Sequence, residues 1–260
     1  MKKLGLVLGS GGSRGIAHVG FLKALDEHEI KPYCIAGCSM GSVVGGLYAK
    51  GMTPDEMMGM VRTLKGKDII DLNMAPLTSK ALLKTAKMTK IIDGLFGNVT
   101  FEELKIPFMC NAFDINKGKT VWFSKGEVAP CVRASSSIPL VFNPVPMEDK
   151  LLVDGGANCR MPYKAAKKMG ADVIVGVDVL GKLRKSYKNN NIITYAIRVI
   201  DAVDWSNTEA SYKRDRYDLL LMPELGSMSQ YVIKNLEKAY EKGYELGIRH
   251  ICLLYTSDAA

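Results

Sequence analysis

The stretch Leu4–Leu25, LGLVLGSGGSRGIAHVGFLKAL, changes its hydrophobic period halfway, and that change sets the fold class. Leu4–Leu8 is a short apolar run bounded by glycine and reads as a buried strand. Gly9–Gly15 is a glycine loop, and beyond it Ile16, Val19, Leu22 and Leu25 recur every third residue, the spacing of a helix face running to about His28. Strand, glycine turn and helix together form the unit from which parallel α/β sheets are assembled.

The same alternation continues outward. Tyr33–Ala36 reads as a second strand, and Gly37-Cys38-Ser39-Met40-Gly41 turns the chain into a helix ending near Gly51. Thr53 with Glu56 forms a capping-box signature with Pro54 at the first helical position; Thr100 with Glu103 and Ser124 with Glu127 repeat it. Ile106–Asp114, Lys119–Phe123, Leu151–Val153, Ala171–Val179 and Tyr217–Met222 read as strands, and Pro139–Pro146 as an extended segment. With no internal repeat and no linker, the expectation is a single three-layer α/β/α domain with a mostly parallel central sheet over residues 1–250. The tail, residues 251–260, is set aside, because from Leu253 onward it matches neither pattern.

Composition narrows the class. The chain has 260 residues, 47% hydrophobic and 24% charged, enough apolar material for a core that buries roughly 70–75% of the unfolded surface. A net charge of +8 favours anionic partners, but no basic run with interleaved aromatics and no zinc-finger motif points to nucleic acid. Six scattered cysteines lack metal-ligand spacing and suit a reducing compartment. The apolar start is too short for a secretion signal, and no run reaches the ~20 apolar residues of a membrane span. A cytoplasmic protein, at most peripheral to a membrane, is expected.

Gly37–Gly41 has the G-x-S-x-G form, placed between a strand and a helix. A serine on such a tight turn has its Oγ held clear of the backbone, and the following helix aims its N-terminal N–H groups at developing charge. An α/β-hydrolase triad would need a histidine after the acid. The chain has three histidines: His18 and His28 precede the serine, and His250 stands in no catalytic loop. His18 shares a helix side with Phe21, Leu22 and Leu25, as a packed structural histidine does.

The loop Gly9-Ser10-Gly11-Gly12-Ser13-Arg14-Gly15 offers backbone N–H groups to an anion. It does not satisfy G-x-G-x-x-G, since the last glycine arrives one residue late, and it lacks the Lys-Ser/Thr of a phosphate-binding P-loop. An oxyanion hole uses the same physics on a smaller anion. Asp154 ends a strand before Gly155 and Gly156, which read either as a site or as a plain turn.

In combination these segments resemble the patatin-like phospholipase family from residue 4 to about 225: Ser10–Gly15 followed by His18, Gly37–Gly41, Arg133–Pro139 with Phe142 and Pro144, and Asp154–Gly156. The resemblance implies a Ser–Asp dyad without histidine, with Ser39 as nucleophile and Asp154 as base. It also implies an oxyanion hole around Gly11 and Gly12, an acyl-enzyme intermediate, a fatty-acyl lipid substrate, and no metal or cofactor. Gly37, Gly41, Gly155 and Gly156 support the turns, and Arg14 reads either as a holder of the loop or as a helix-start ion pair. Ser10 departs from the glycine common in the family, and a positive φ there would strain it.

Between Thr78 and Gly97, Lys80, Lys84 and Lys87 fall at helical spacing among apolar residues, with Met52, Met57, Met58 and Met60 upstream. This suggests a lid or lipid-facing helix, against a plain surface helix with a core stripe. Three classes stay open: a lipid acyl hydrolase, a non-catalytic lipid-binding module on the same fold, and a nucleotide-dependent enzyme. Oligomeric state is not legible.

Overall fold

The computed structural model describes residues 2–63, 71–74, 83–84, 86–183 and 192–258. Its strands are β1 (Leu4–Leu8), β2 (Cys34–Cys38), β3 (Asp71–Met74), β4 (Leu83–Lys84), β5 (Phe108–Asp114), β6 (Lys119–Phe123), β7 (Val145–Met147), β8 (Lys150–Asp154), β9 (Val173–Val177) and β10 (Leu219–Leu221). Its helices are α1 (Ile16–Glu27), α2 (Met40–Lys50), α3 (Pro54–Thr63), α4 (Ala86–Phe96), α5 (Val128–Ser135), α6 (Tyr163–Lys168), α7 (Ile192–Arg214) and α8 (Leu236–Asp258).

The central sheet runs β10-β9-β1-β2-β5-β8-β7, with β6 on the other edge of β5. The pairs from β10 to β5 are parallel, whereas β6, β8 and β7 pair antiparallel. Parallel strands covered by helices on both faces are apolar throughout rather than alternating. In β1, Leu4, Leu6 and Leu8 enter the larger core with α1, α2, α4, α5 and α8, while Val7 enters a second core with Ala165 and Ala166 of α6. Those two cores make the three layers.

Helix α8 docks on α1 at very short range. A Cβ on Gly20 would lie 1.9 Å from the Tyr240 carbonyl oxygen, and one on Gly243 would lie 1.8 Å from that of Ala17. The helix continues through Asp258 with Ile251 buried, so the stretch set aside as a tail begins as helix.

Other expectations shift for local reasons. Thr100 and Glu103 do form a capping box, but over a single 3-10 turn, Phe101–Glu103. Ser124 caps nothing: the Val128 N–H at the start of α5 goes to the Val99 carbonyl, and Thr100 pairs with Glu127, so backbone already supplies the partner. Pro139–Pro146 is extended only at its end, because the chain first turns through Leu140 at φ +68°. Met57 and Met58 are core residues, and α4 is anchored by buried Met88, Ile92 and Phe96. Lys84 stands in β4, paired with Asp71, before the helix begins at Ala86, so it does not share a helix face with Lys87. Lys80 and the side chain of Lys84 lie outside the described residues. Among the described residues no helix is long and apolar enough to cross a membrane.

Candidate active site

Strand β5 brings the serine and the aspartate together. Its first half pairs parallel with β2, ending at Cys38↔Asn111, and its second half pairs antiparallel with β8, ending at Ala112↔Asp154. Because β6 occupies the opposite edge along Cys110–Asp114, β2 and β8 share one edge and run at each other head-on. They meet between Asn111 and Ala112, so the residue leaving β2 faces the residue ending β8.

Those residues are Ser39 and Asp154. Ser39 sits at φ +53°, ψ −124°, a left-handed region that serine adopts only where its surroundings hold it. Ser42 and Val43 both donate N–H groups to the Ser39 carbonyl, and the Ser39 N–H donates to Ser135 Oγ at 2.9 Å. The turn also needs bare glycines. A Cβ on Gly41 would lie 2.1 Å from the Leu8 carbonyl oxygen, and one on Gly37 would lie 2.5 Å from that of Gly41.

Ser39 Oγ donates to Asp154 Oδ2 at 2.5 Å, and Gly156 N–H donates to Oδ1 at 2.7 Å. Both side chains are buried. Burial pushes the Asp154 carboxyl up to about 7, against the two hydrogen bonds that favour its charged form. Cys38, next to the serine, is fully buried, and burial first, then the Asp154 charge, holds its thiol well above the ordinary range. A buried thiol held in its neutral form is a poor nucleophile.

The glycine loop packs against both. Gly15 abuts Met40, whose side chain a Cβ would meet at 2.3 Å, and Ser10 Oγ lies against Gly156 beside Asp154 Oδ1. The N–H groups of Gly9, Ser10, Ser13 and Arg14 go to the carbonyls of Val177, Arg160, Gln230 and Gly11. Among the described residues no backbone acceptor takes the N–H of Gly11 or Gly12. Gly12 takes φ +50° with Gln230 O only 2.2 Å from where a Cβ would stand, so no other residue fits there. Ser10 is not among the described residues at positive φ, so the serine sits there without backbone strain.

None of the three histidines reaches the aspartate. His18 Nε2 donates to the Gly9 carbonyl at 2.9 Å, and burial drops its imidazole to about 4, which keeps it neutral and holding the loop. His28 and His250 bond carbonyls of their own helices, Ala24 and Leu246.

A buried ion cluster backs the loop. The carbonyl of Arg160 accepts the Ser10 N–H, while its guanidinium bonds Asp178, Asp204 and the Gly181 carbonyl, each at 2.8 Å. Burial pushes Asp204 up to about 6 despite the Arg160 pairing. Beside this cluster lies a cleft of about 130 Å³ lined by residues including Arg14, Arg198, Asp201, Trp205 and Tyr231. Ser39 and Asp154 are not among its lining residues.

A patatin-like phospholipase profile matches residues 6–167, more than half of the chain. The chain belongs to the patatin-like phospholipase family. An NTE family protein of Mycobacterium bovis, described as uncharacterized, is 36% identical over 179 residues, 69% of this chain and 49% of that protein. Lysophospholipase nte1 of Aspergillus fumigatus is 37% identical over 181 residues, 68% of this chain and 12% of that protein. The chain thus spans about half, or far less, of the length of these curated relatives. VipD from Legionella pneumophila superposes at a TM-score of 0.57 with 13% identity, over 98% of this chain and 67% of that one. The type III effector protein ExoU does so at 0.53 with 10% identity, over 98% of this chain and 53% of that one. At such identities the likeness is one of fold.

Within this patatin-like domain, the sequence-selected Ser39 and Asp154 meet, with Gly37 and Gly41 shaping the serine turn and Gly155 and Gly156 following the aspartate, while Gly11 and Gly12 pack against Val179 and Gln230 and Arg14 is buried and lines the cleft. Sequence reasoning gave no role to Ser135, Ser137 or Arg160. The first two lie in the quoted Arg133–Pro139 segment, where Ser135 holds the Ser39 N–H and the Ser137 carbonyl accepts the Asp154 N–H. Arg160 stands in no motif; its only sequence signal is a charge just past the glycine pair.

Proposed function

We propose that this protein is a serine acyl hydrolase of fatty-acyl lipid esters, with Ser39 as nucleophile and Asp154 as its general base. The observation that carries the reading is the Ser39 Oγ–Asp154 Oδ2 hydrogen bond in a buried site where no histidine touches the carboxylate. Ser39 Oγ attacks the ester carbonyl as Asp154 Oδ2 takes its proton, and the carbonyl π electrons move onto the oxygen. The N–H groups of Gly11 and Gly12, together with the start of α2, stabilise that oxyanion before collapse. Asp154 returns the proton to the departing alcohol. A water then enters, gives its proton to Asp154 and attacks the acyl-enzyme, and Ser39 leaves reprotonated with the fatty acid released.

Asp154 must be ionised to serve, and burial places its carboxyl near neutrality, where a base has driving force without being fully protonated. A phospholipid or lysophospholipid substrate is favoured by membership of the family and by the lysophospholipase named among the relatives. The chemistry calls on no metal or cofactor. Action at a lipid surface in the cytoplasm fits the +8 net charge.

The test is hydrolysis of short- and long-chain p-nitrophenyl esters by the parent and by Ser39→Ala. Turnover that vanishes in the variant supports the reading; equal turnover in both refutes it.

A further inference from the structure

Helix α7 is built inside out. Its inward side carries the polar groups: Asp204 and Thr208 are buried, Asp201 accepts from Gln230 and Tyr231, and Tyr212 donates to Asp178. Its outward side carries large apolar residues at spacings of three, four and four. Ile192 is 76% exposed, Tyr195 50%, Val199 44% and Val203 51%. A surface helix ordinarily has the reverse arrangement. The four side chains form a stripe about 16 Å long at 1.5 Å per residue. Arg214, eleven residues past Val203, continues the same face but is ion-paired with Asp215 at 3.0 Å, and the exposed Lys213 beside it supplies the basic end. Val232, 46% exposed, lies in the segment that bonds α7 through Gln230 and Tyr231 and the glycine loop through Ser13, which ties this helix to the loop beside the dyad.

We propose that this outward face of α7 docks on an anionic lipid surface and seats the active site against it. The inference rests on the reading of the protein as a lipid ester hydrolase, and three observations select the occupant. The face joins apolar residues and a tyrosine to a basic end, the combination that suits the boundary between acyl chains and anionic headgroups. Four side chains at these exposures present on the order of 400 Å², about half of the ~800 Å² per partner that a standard protein interface takes. A second copy would also bring its own +8 charge and its own basic helix end to the contact.

The experiment uses the full chain. Ser39→Ala protein is sedimented with phosphatidylcholine vesicles with and without phosphatidylglycerol, alongside the same protein carrying Val199→Glu and Val203→Glu. The expected result is vesicle binding that increases with phosphatidylglycerol and falls at least about ten-fold in the glutamate pair. The milder Val199→Ser and Val203→Ser pair should move the same way. With Ser39 intact, the glutamate pair should hydrolyse monomeric p-nitrophenyl butyrate within about two-fold of the parent, which shows the fold is preserved. Unchanged vesicle binding in both pairs would overturn the proposal. So would a parent dimer that the substitutions split into monomers, which would assign the face to a second copy. Vesicle binding lost with the pair, in a parent that hydrolyses no ester, would sustain the docking face and sink the hydrolase reading.

Discussion

Replacing Asp154 by Asn should separate what the carboxylate does for catalysis from what it costs the fold. The amide can keep the Gly156 N–H on its oxygen, but the nitrogen it turns to Ser39 cannot accept a proton, so turnover should fall about 10²–10⁴-fold, the range for a lost general base. Stability should move the other way. The folded carboxyl titrates near 7 against an ordinary 3.8, because burial outweighs the bonds from Ser39 and Gly156. Between those values the folded protein holds a proton that the unfolded chain has released, so this group's contribution to stability falls as pH rises through that window and levels off above it. At ~1.4 kcal/mol per pH unit the pH-dependent part amounts to on the order of 4 kcal/mol. Asn carries no such term. The stability difference, variant minus parent, should therefore grow by a few kcal/mol between pH 4 and pH 8, read from urea melts at each pH. In the parent, kcat/KM should drop about ten-fold per pH unit below 7. Turnover of the variant within about ten-fold of the parent, or a stability difference flat with pH, would refute the assignment of Asp154 as a buried base.

Gly41→Ala should lower Tm by several degrees, since its Cβ would stand 2.1 Å from one backbone oxygen and 2.6 Å from another, and such overpacking costs about 1–3 kcal/mol or more. An unchanged Tm by calorimetry would refute the close approach of α2 to β1. Ser135→Ala should leave the Ser39 N–H without its acceptor, at a cost of about 1–3 kcal/mol, and lower kcat roughly ten-fold with circular dichroism intact. Full kcat in that variant would remove Ser135 from the positioning of the nucleophile. Ser10→Gly should keep kcat within about three-fold, because Ser10 does not occupy a positive φ; a large gain would mean that the serine distorts the loop.

Much of the site was legible because its parts are local. The turns at Gly37–Gly41 and Asp154–Gly156 follow apolar runs that are strands in the structure, and Lys119–Phe123 is a strand over the expected residues. The meeting of Ser39 and Asp154 is not local. It depends on β8 joining β5 antiparallel in a sheet whose other half is parallel, and the three apolar residues Leu151–Val153 carry no sign of direction. Arg160 was invisible for the same reason, since its partners Asp178 and Asp204 arrive from the end of β9 and from α7. The exposed stripe of α7 was overlooked because helical spacing marks an apolar face without saying whether core or solvent meets it, and here the core side is the polar one.

The measurement closest to the central claim is capture of the covalent intermediate. The protein is incubated with a slowly deacylating p-nitrophenyl ester, quenched in acid, weighed intact and mapped by peptide mass spectrometry. The dyad chemistry requires one acyl group per chain, located on Ser39, absent from Ser39→Ala and strongly reduced in Asp154→Asn. An acyl group on another residue, or equal labelling of all three proteins, would contradict it.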